Sequence, residues 1–254
     1  MNPIKASFFS LSAGAEGGDD DAYLAWHLLD HLPEQYSIPG IRLGTRWRVD
    51  DACLEARLAA EGPLADVRHA VAYFMTDPLP ETLTSFAQLG RRAAETGRFP
   101  VRARSLLLGA FHFQQADAAP RVLVSAEAVA FRPHRGVLLL VEQPVDGGDP
   151  AAWMRWHHVE HVPALLAAPG VAGVYVFRSS TLLGTGPDQG ERFGMPLWDP
   201  GDRIVTIVYL DDDPVTTTTA IAELVRGRWA SGDVAGELAV PMRSMVTYEA
   251  WPGS

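Results

Sequence analysis

The feature that most constrains this chain is a segment that occurs twice at a constant offset. "WHLLDHLPEQYSIPG" runs from Trp26 to Gly40 and "WHHVEHVPALLAAPG" from Trp156 to Gly170. Starting at Gly17 and Gly147 the two stretches align without a gap. Identical pairs include Gly18/Gly148, Asp19/Asp149, Trp26/Trp156, His27/His157, His31/His161, Pro33/Pro163, Gly40/Gly170 and Arg48/Arg178. Tryptophan and histidine are rare residues, so their pairing at one spacing indicates a doubled structural unit. With 254 residues, 47% of them hydrophobic, the chain can form two small cores or one large one.

Each copy presents the same order of elements. An apolar run, "KASFFSLS" or "GVLLLVEQ", predicts a buried strand. A Gly/Asp turn follows, whose acids suit a helix N-terminus, and the helix of about residues 21–36, like its partner, stops at a Pro-Gly step. Next come a strand ("IRLGTRWRV" or "VAGVYVFRS"), an insertion, a strand ("HAVAYFM" or "RIVTIVYL"), a helix ("PETLTSFAQLGRRAAET" or "TTTAIAELVRGRWAS") and a last strand ("RSLLLGAFHF" or "RSMVTYEAW").

The order βαββαβ is the ferredoxin-like unit, so the expected class is α+β: two tandem ferredoxin-like repeats packed sheet to sheet as an intramolecular dimeric α/β barrel. The expected boundaries are 1–115 for the first repeat, 116–134 for a linker and 135–254 for the second repeat. The run "RVLVSAEAVAF" within that linker looks strand-like and has no place in the scheme.

Composition excludes several functions. The single Cys53 cannot form an intrachain disulfide, and no thiolate zinc spacing occurs, which fits a reducing, cytoplasmic setting. A formal charge of −10 with scattered arginines disfavours nucleic acid. No apolar run has the roughly 20 residues of a membrane span, and "MNPIKASFFSLSAG" is too short in apolar residues for a secretory leader. The partner expected is a small hydrophobic or aromatic substrate, with a homodimer left open.

The helix ending in His161-Val162-Pro163, followed by Pro169-Gly170 and a strand carrying Tyr175, resembles the EthD-type branch of the dimeric α/β-barrel superfamily. The first copy matches at His31-Leu32-Pro33 and Pro39-Gly40 but has Thr45 where the second has Tyr175. The resemblance covers about thirty residues in each half. It implies polyketide-cyclase-like, dehydratase-like, metal-free monooxygenase or heme-dependent chemistry, a range that shows how weakly fold fixes function.

Histidines four apart share one side of a helix, so His27 with His31, and His157 with His161, can meet one ligand. On a helical wheel the apolar arc of the first helix holds Ala25, Trp26, Leu28, Leu29, Leu32, Pro33 and Tyr36, opposite the histidines. That leaves two readings: solvated or capping imidazoles, or acid/base groups exchanging protons near pH 6.5.

On the second reading His157, His161, His27 and His31 are catalytic. Tyr175 or Arg178 polarises a carbonyl or phenol, and Trp153, Trp156, Tyr23 and Trp26 wall the pocket. The reaction expected is cofactor-free cyclisation, dehydration or isomerisation of an aromatic or polyketide-like compound. The alternatives are a heme or metal site, with Glu160, His112, His134 or His69 as further ligands, and a non-catalytic ligand-binding or stress-related protein. The long loop from Thr181 to Asp202 is expected to cover the second pocket through Phe193, Met195 and Trp198. No GK[ST] phosphate loop or G-x-S-x-G elbow occurs.

Overall fold

Among the described residues eight long strands alternate between two faces, and both faces are apolar for much of their length. In the computed structural model, which describes residues 3–99, 103–179 and 203–245, the first four are β1 (Ala6–Ala15), β2 (Ile41–Arg48), β3 (His69–Met75) and β4 (Ala103–Ala118). The next four are β5 (Gly136–Pro144), β6 (Val171–Ser179), β7 (Ile204–Leu210) and β8 (Val234–Ser244). The first half is ordered β2-β3-β1-β4 and the second β6-β7-β5-β8, with every pair antiparallel. Each is the strand order of a ferredoxin-like sheet.

The two sheets do not merely lie face to face. Their edges join, β4 to β6 from Phe111↔Ser179 to Ala118↔Gly173, and β8 to β2 through Trp47↔Ser244 and Arg48↔Arg243. A closed barrel removes the free edges that would otherwise template aggregation. The second joint is short, and the two-residue strand Ala59–Ala60 extends it by pairing with Ala239 and Leu238. Inward-facing Phe9, Trp47, Phe74, Phe111, Val137, Leu139, Tyr175, Phe177, Ile207 and Tyr209 fill one core shared by both halves. Each buried apolar side chain of this size contributes roughly 1.5–3 kcal/mol.

The outward faces are covered by helices, giving each half a second core of its own. In the first half these are α1 (Asp20–Trp26), α2 (Leu32–Gln35) and α4 (Leu79–Glu95), while the short α3 (Asp51–Glu55) packs Cys53 and Leu54 against the barrel core. In the second they are α5 (Pro150–Trp156), α6 (Val162–Ala167), α7 (Pro214–Ala220) and α8 (Ala222–Arg226). The Gly/Asp turns act as expected: Asp19 accepts from the Ala22 amide, and Asp149 from those of Ala151 and Ala152. Gly40 and Gly170, with φ of 99° and 81°, end the helical segments in a backbone region that other residues enter at a cost.

Three sequence expectations change. The boundary at 115 falls inside β4, which continues to Ala118 to make the joint with β6. The strand-like run in the linker instead contains a 3₁₀ turn, Ala126–Phe131, against the barrel. The last described strand is "VAGELAVPMRS", which begins before the expected "RSMVTYEAW"; most of the latter lies outside the described residues. Gly236 and Pro241 read as strand breakers, yet Gly236 is needed where it sits: a Cβ there would lie 2.4 Å from the Trp229 ring.

Candidate functional site

Between α1 and α2, and again between α5 and α6, the chain widens into one π-helical turn, His27–His31 and His157–His161. The cause is the proline two residues beyond each second histidine. Pro33 and Pro163 have no amide to bond the carbonyl four residues back, and their rings crowd it. The preceding amide, Leu32 or Val162, therefore reaches back five residues to the carbonyl of His27 or His157. The His-x-x-x-His-x-Pro pattern thus makes the local distortion, and such turns are frequent at functional sites.

This overturns the wheel analysis. The histidines face the sheet, with His27, His157 and His161 buried, while the apolar Leu29 and Val159 are exposed. The extra residue per turn rotates the frame, and the sheet beneath carries polar groups that an apolar-arc argument does not anticipate.

In the second half, Arg228 is fully buried and forms a fork-to-fork pair with Glu142, Nε to Oε1 at 2.8 Å and Nη2 to Oε2 at 2.5 Å. Trp229 Nε1 donates to Glu142 Oε1 at 2.8 Å. Arg228 Nη1 lies 3.1 Å from His157 Nδ1. A guanidinium only donates, so Nδ1 accepts and the ring proton resides on Nε2. Trp153 stacks on His157 with centroids 5.0 Å apart, donates Nε1 to the Arg228 carbonyl at 3.0 Å and has the guanidinium 5.0 Å from its ring.

Trp156 covers His161, also at 5.0 Å. His157 Nε2 and both nitrogens of His161 have no hydrogen-bond partner. Burial, with the Arg228 charge, holds His157 well below the usual imidazole range and His161 down at about 3. His158 is also lowered by burial. Proton exchange around pH 6.5 is therefore not available to the resting site. Both rings are neutral.

A cleft of about 370 Å³ opens above this layer, lined by Ala152, Trp153, Trp156, Gly227, Arg228, Ser231 and Asp233. The two tryptophans thus separate the cleft from the histidines. Helix α8 ends early, in a 3₁₀ turn at Gly227–Trp229, and this break delivers Arg228 and Trp229 to the sheet.

The first half has a similar layout with different chemistry. His27 Nε2 is 2.9 Å from the Tyr73 hydroxyl, and His31 stacks on Trp26 at 5.0 Å and bonds Gln35 at 3.1 Å. Burial lowers His27 well below its ordinary range and His31 and His69 to about 4. Tyr23, at the position of Trp153, packs 6.0 Å from Trp26 and carries the Arg46 guanidinium 4.5 Å from its ring.

Tyr175 does not join the histidines. Strand alternation places it in the barrel interior with Phe177, where its hydroxyl donates to the Ala126 carbonyl at 2.7 Å, on the far side of the sheet. Arg178 has the opposite parity, in register with His112 and Ile204. Phe193, Met195 and Trp198 lie outside the described residues.

His112 sits on β4, and His134 is held by Asp211 and the Val129 carbonyl. Among the described residues no group of three or more His, Cys, Asp or Glu side chains could hold a metal. Both His161 nitrogens are buried, and neither histidine lines the cleft. Sequence reasoning missed Arg46, Glu142 and Arg228. Glu142 was visible as a charge at the end of the apolar run "GVLLLVEQ".

No family model and no curated protein matches the sequence. Solved structures do match its fold. A candidate chlorite dismutase shares 15% identity at a TM-score of 0.56, covering 95% of each chain. An anthrone oxidase-like protein shares 8% at 0.52, over 96% of this chain and 92% of its own. A candidate monooxygenase from Fusobacterium nucleatum subsp. nucleatum shares 8% at 0.51, over 96% and 94%. At these identities the likeness establishes architecture: the fold is that of the ferredoxin-like, dimeric α/β barrels. Among the described residues no helix is long and apolar enough to cross a membrane.

Proposed function

We propose that the chain is a fusion of two ferredoxin-like units, divided near residues 116–134, and that it is a small-molecule enzyme working by cofactor-free proton abstraction in its second half. The substrate is an aromatic or polyketide-like compound. The observation that carries the reading is a pair of neutral, desolvated imidazoles with three unpartnered ring nitrogens directly beneath an aromatic cleft. Protein polar groups buried this completely are normally satisfied, and exceptions concentrate where chemistry is done.

A base with a conjugate acid near pH 3 is weak, so the order of events matters. A substrate ring replaces the Trp156 indole over His161, and the negative charge it develops raises the imidazole's proton affinity at the moment of transfer. Arg228, already neutralised by Glu142, fixes the His157 tautomer and acts as a positioning residue. The first-half pair His27 and His31 is the secondary candidate. Dimerisation of the chain and an EthD-like lyase or isomerase outcome belong to the same proposal.

Thermal-shift screening against aromatic metabolites identifies ligands, and product analysis identifies turnover. Turnover that survives in a folded His157→Ala, His161→Ala double variant would remove the proposal. Ligand binding with no product supports the non-catalytic alternative instead.

A further inference from the structure

The first half contains a fully buried cation with no acid to balance it among the described residues. Arg46, on the helix-facing side of β2, is 0% exposed, and Nε, Nη1 and Nη2 all lack a hydrogen-bond partner. It makes no ion pair among the described residues; nearby Asp20 turns its Oδ1 to His69 Nε2 at 3.2 Å. The contact that stabilises the guanidinium is the Tyr23 face, 4.5 Å away. A cation–π contact returns much less than burial of an unpaired charge costs. Two imidazole nitrogens close to this cation, His27 Nδ1 and His69 Nδ1, are also buried without partners.

We propose that this buried cluster is a binding site for an aryl carboxylate, held by Arg46. The planar fork of an arginine matches the two oxygens of a carboxylate, and all three of its nitrogen positions are open to donate. The surrounding rings suit an aromatic body: Tyr23, Trp26, Tyr73, Phe86 and Phe99 pack around the two histidines in a continuous set of contacts. The guanidinium is covered, so the ligand enters as the aromatic side chains over it move aside. The second half has no such vacancy because Glu142 already occupies the Arg228 fork. The site is independent of the proton-transfer reading of that half.

Benzoate titrated into the full chain, followed by calorimetry and thermal shift, is the test. One benzoate per chain, with a raised unfolding temperature, is expected. Arg46→Met abolishes the response. Arg46→Lys keeps a charge but not the fork and weakens binding tenfold or more. No heat and no shift at millimolar benzoate, two equivalent sites per chain, or a folded R46M or R46K protein that binds as tightly as the wild type would overturn the assignment.

Discussion

The two helix-covered faces differ in how each treats a buried arginine. In both halves a guanidinium lies over the aromatic residue one turn before the histidine pair, Tyr23 or Trp153. Arg228 comes from the end of a helix and is closed off by Glu142 and Trp229; Arg46 comes from a strand and pairs with no acid among the described residues. The equivalent of Glu142 in β1, by the shared 130-residue offset, is Ser12, and that of Arg46 is Val176. One half carries its own counter-ion, whereas the other shows none among its described residues. A common scaffold can therefore hold two electrostatic states without a change in backbone.

That contrast can be broken most forcefully at Glu142. Glu142→Gln leaves Arg228 buried without its carboxylate, and urea unfolding is expected to show a loss of about 3–5 kcal/mol. A loss near zero would mean that the pair is not buried as described.

The histidines give an effect of similar size. The folded His161 group sits at about 3, against 6.5 for an ordinary imidazole. A depressed folded value means the unfolded chain binds the proton first. Stability is therefore intact above pH 6.5, falls progressively below it, and stops falling from this group only near pH 3. The full loss is on the order of 5 kcal/mol. In His161→Gln the slope of stability against pH between 6.5 and 4 should flatten, and an unchanged slope would show that the ring is not dry.

Smaller effects sharpen the geometry. Gly236→Ala pushes a methyl into the Trp229 ring and should cost roughly 1–3 kcal/mol by the same unfolding measurement. Tyr175→Phe removes the hydroxyl bond to Ala126 and should cost about 1 kcal/mol. Because Tyr175 lies inside the barrel, that variant should leave ligand binding in either half unchanged.

Much of the architecture was legible because the repeat and the strand alternation are local signals. The His-x-x-x-His-x-Pro step was legible too, although its consequence, a π turn that aims the rings inward, appears only when the missing proline amide is followed through the hydrogen-bond ladder. For Tyr175 the family resemblance and strand parity point to opposite faces, and parity decides: Val174 and Val176 lie toward the helices, so Tyr175 cannot. Arg46 and Arg228 escaped notice because burial depends on what covers a strand. No sequence pattern distinguishes Arg46 in "GTRWRV" from its more exposed neighbour Arg48.

The most direct measurement is the unfolding midpoint of Arg46→Met in urea, without ligand, beside the wild type. An uncompensated cation should be replaced at no cost or with a gain in stability, as buried charges often are by apolar groups of similar volume. A loss comparable to that of Glu142→Gln would show that Arg46 is satisfied within the protein, and the difference between the two halves would disappear.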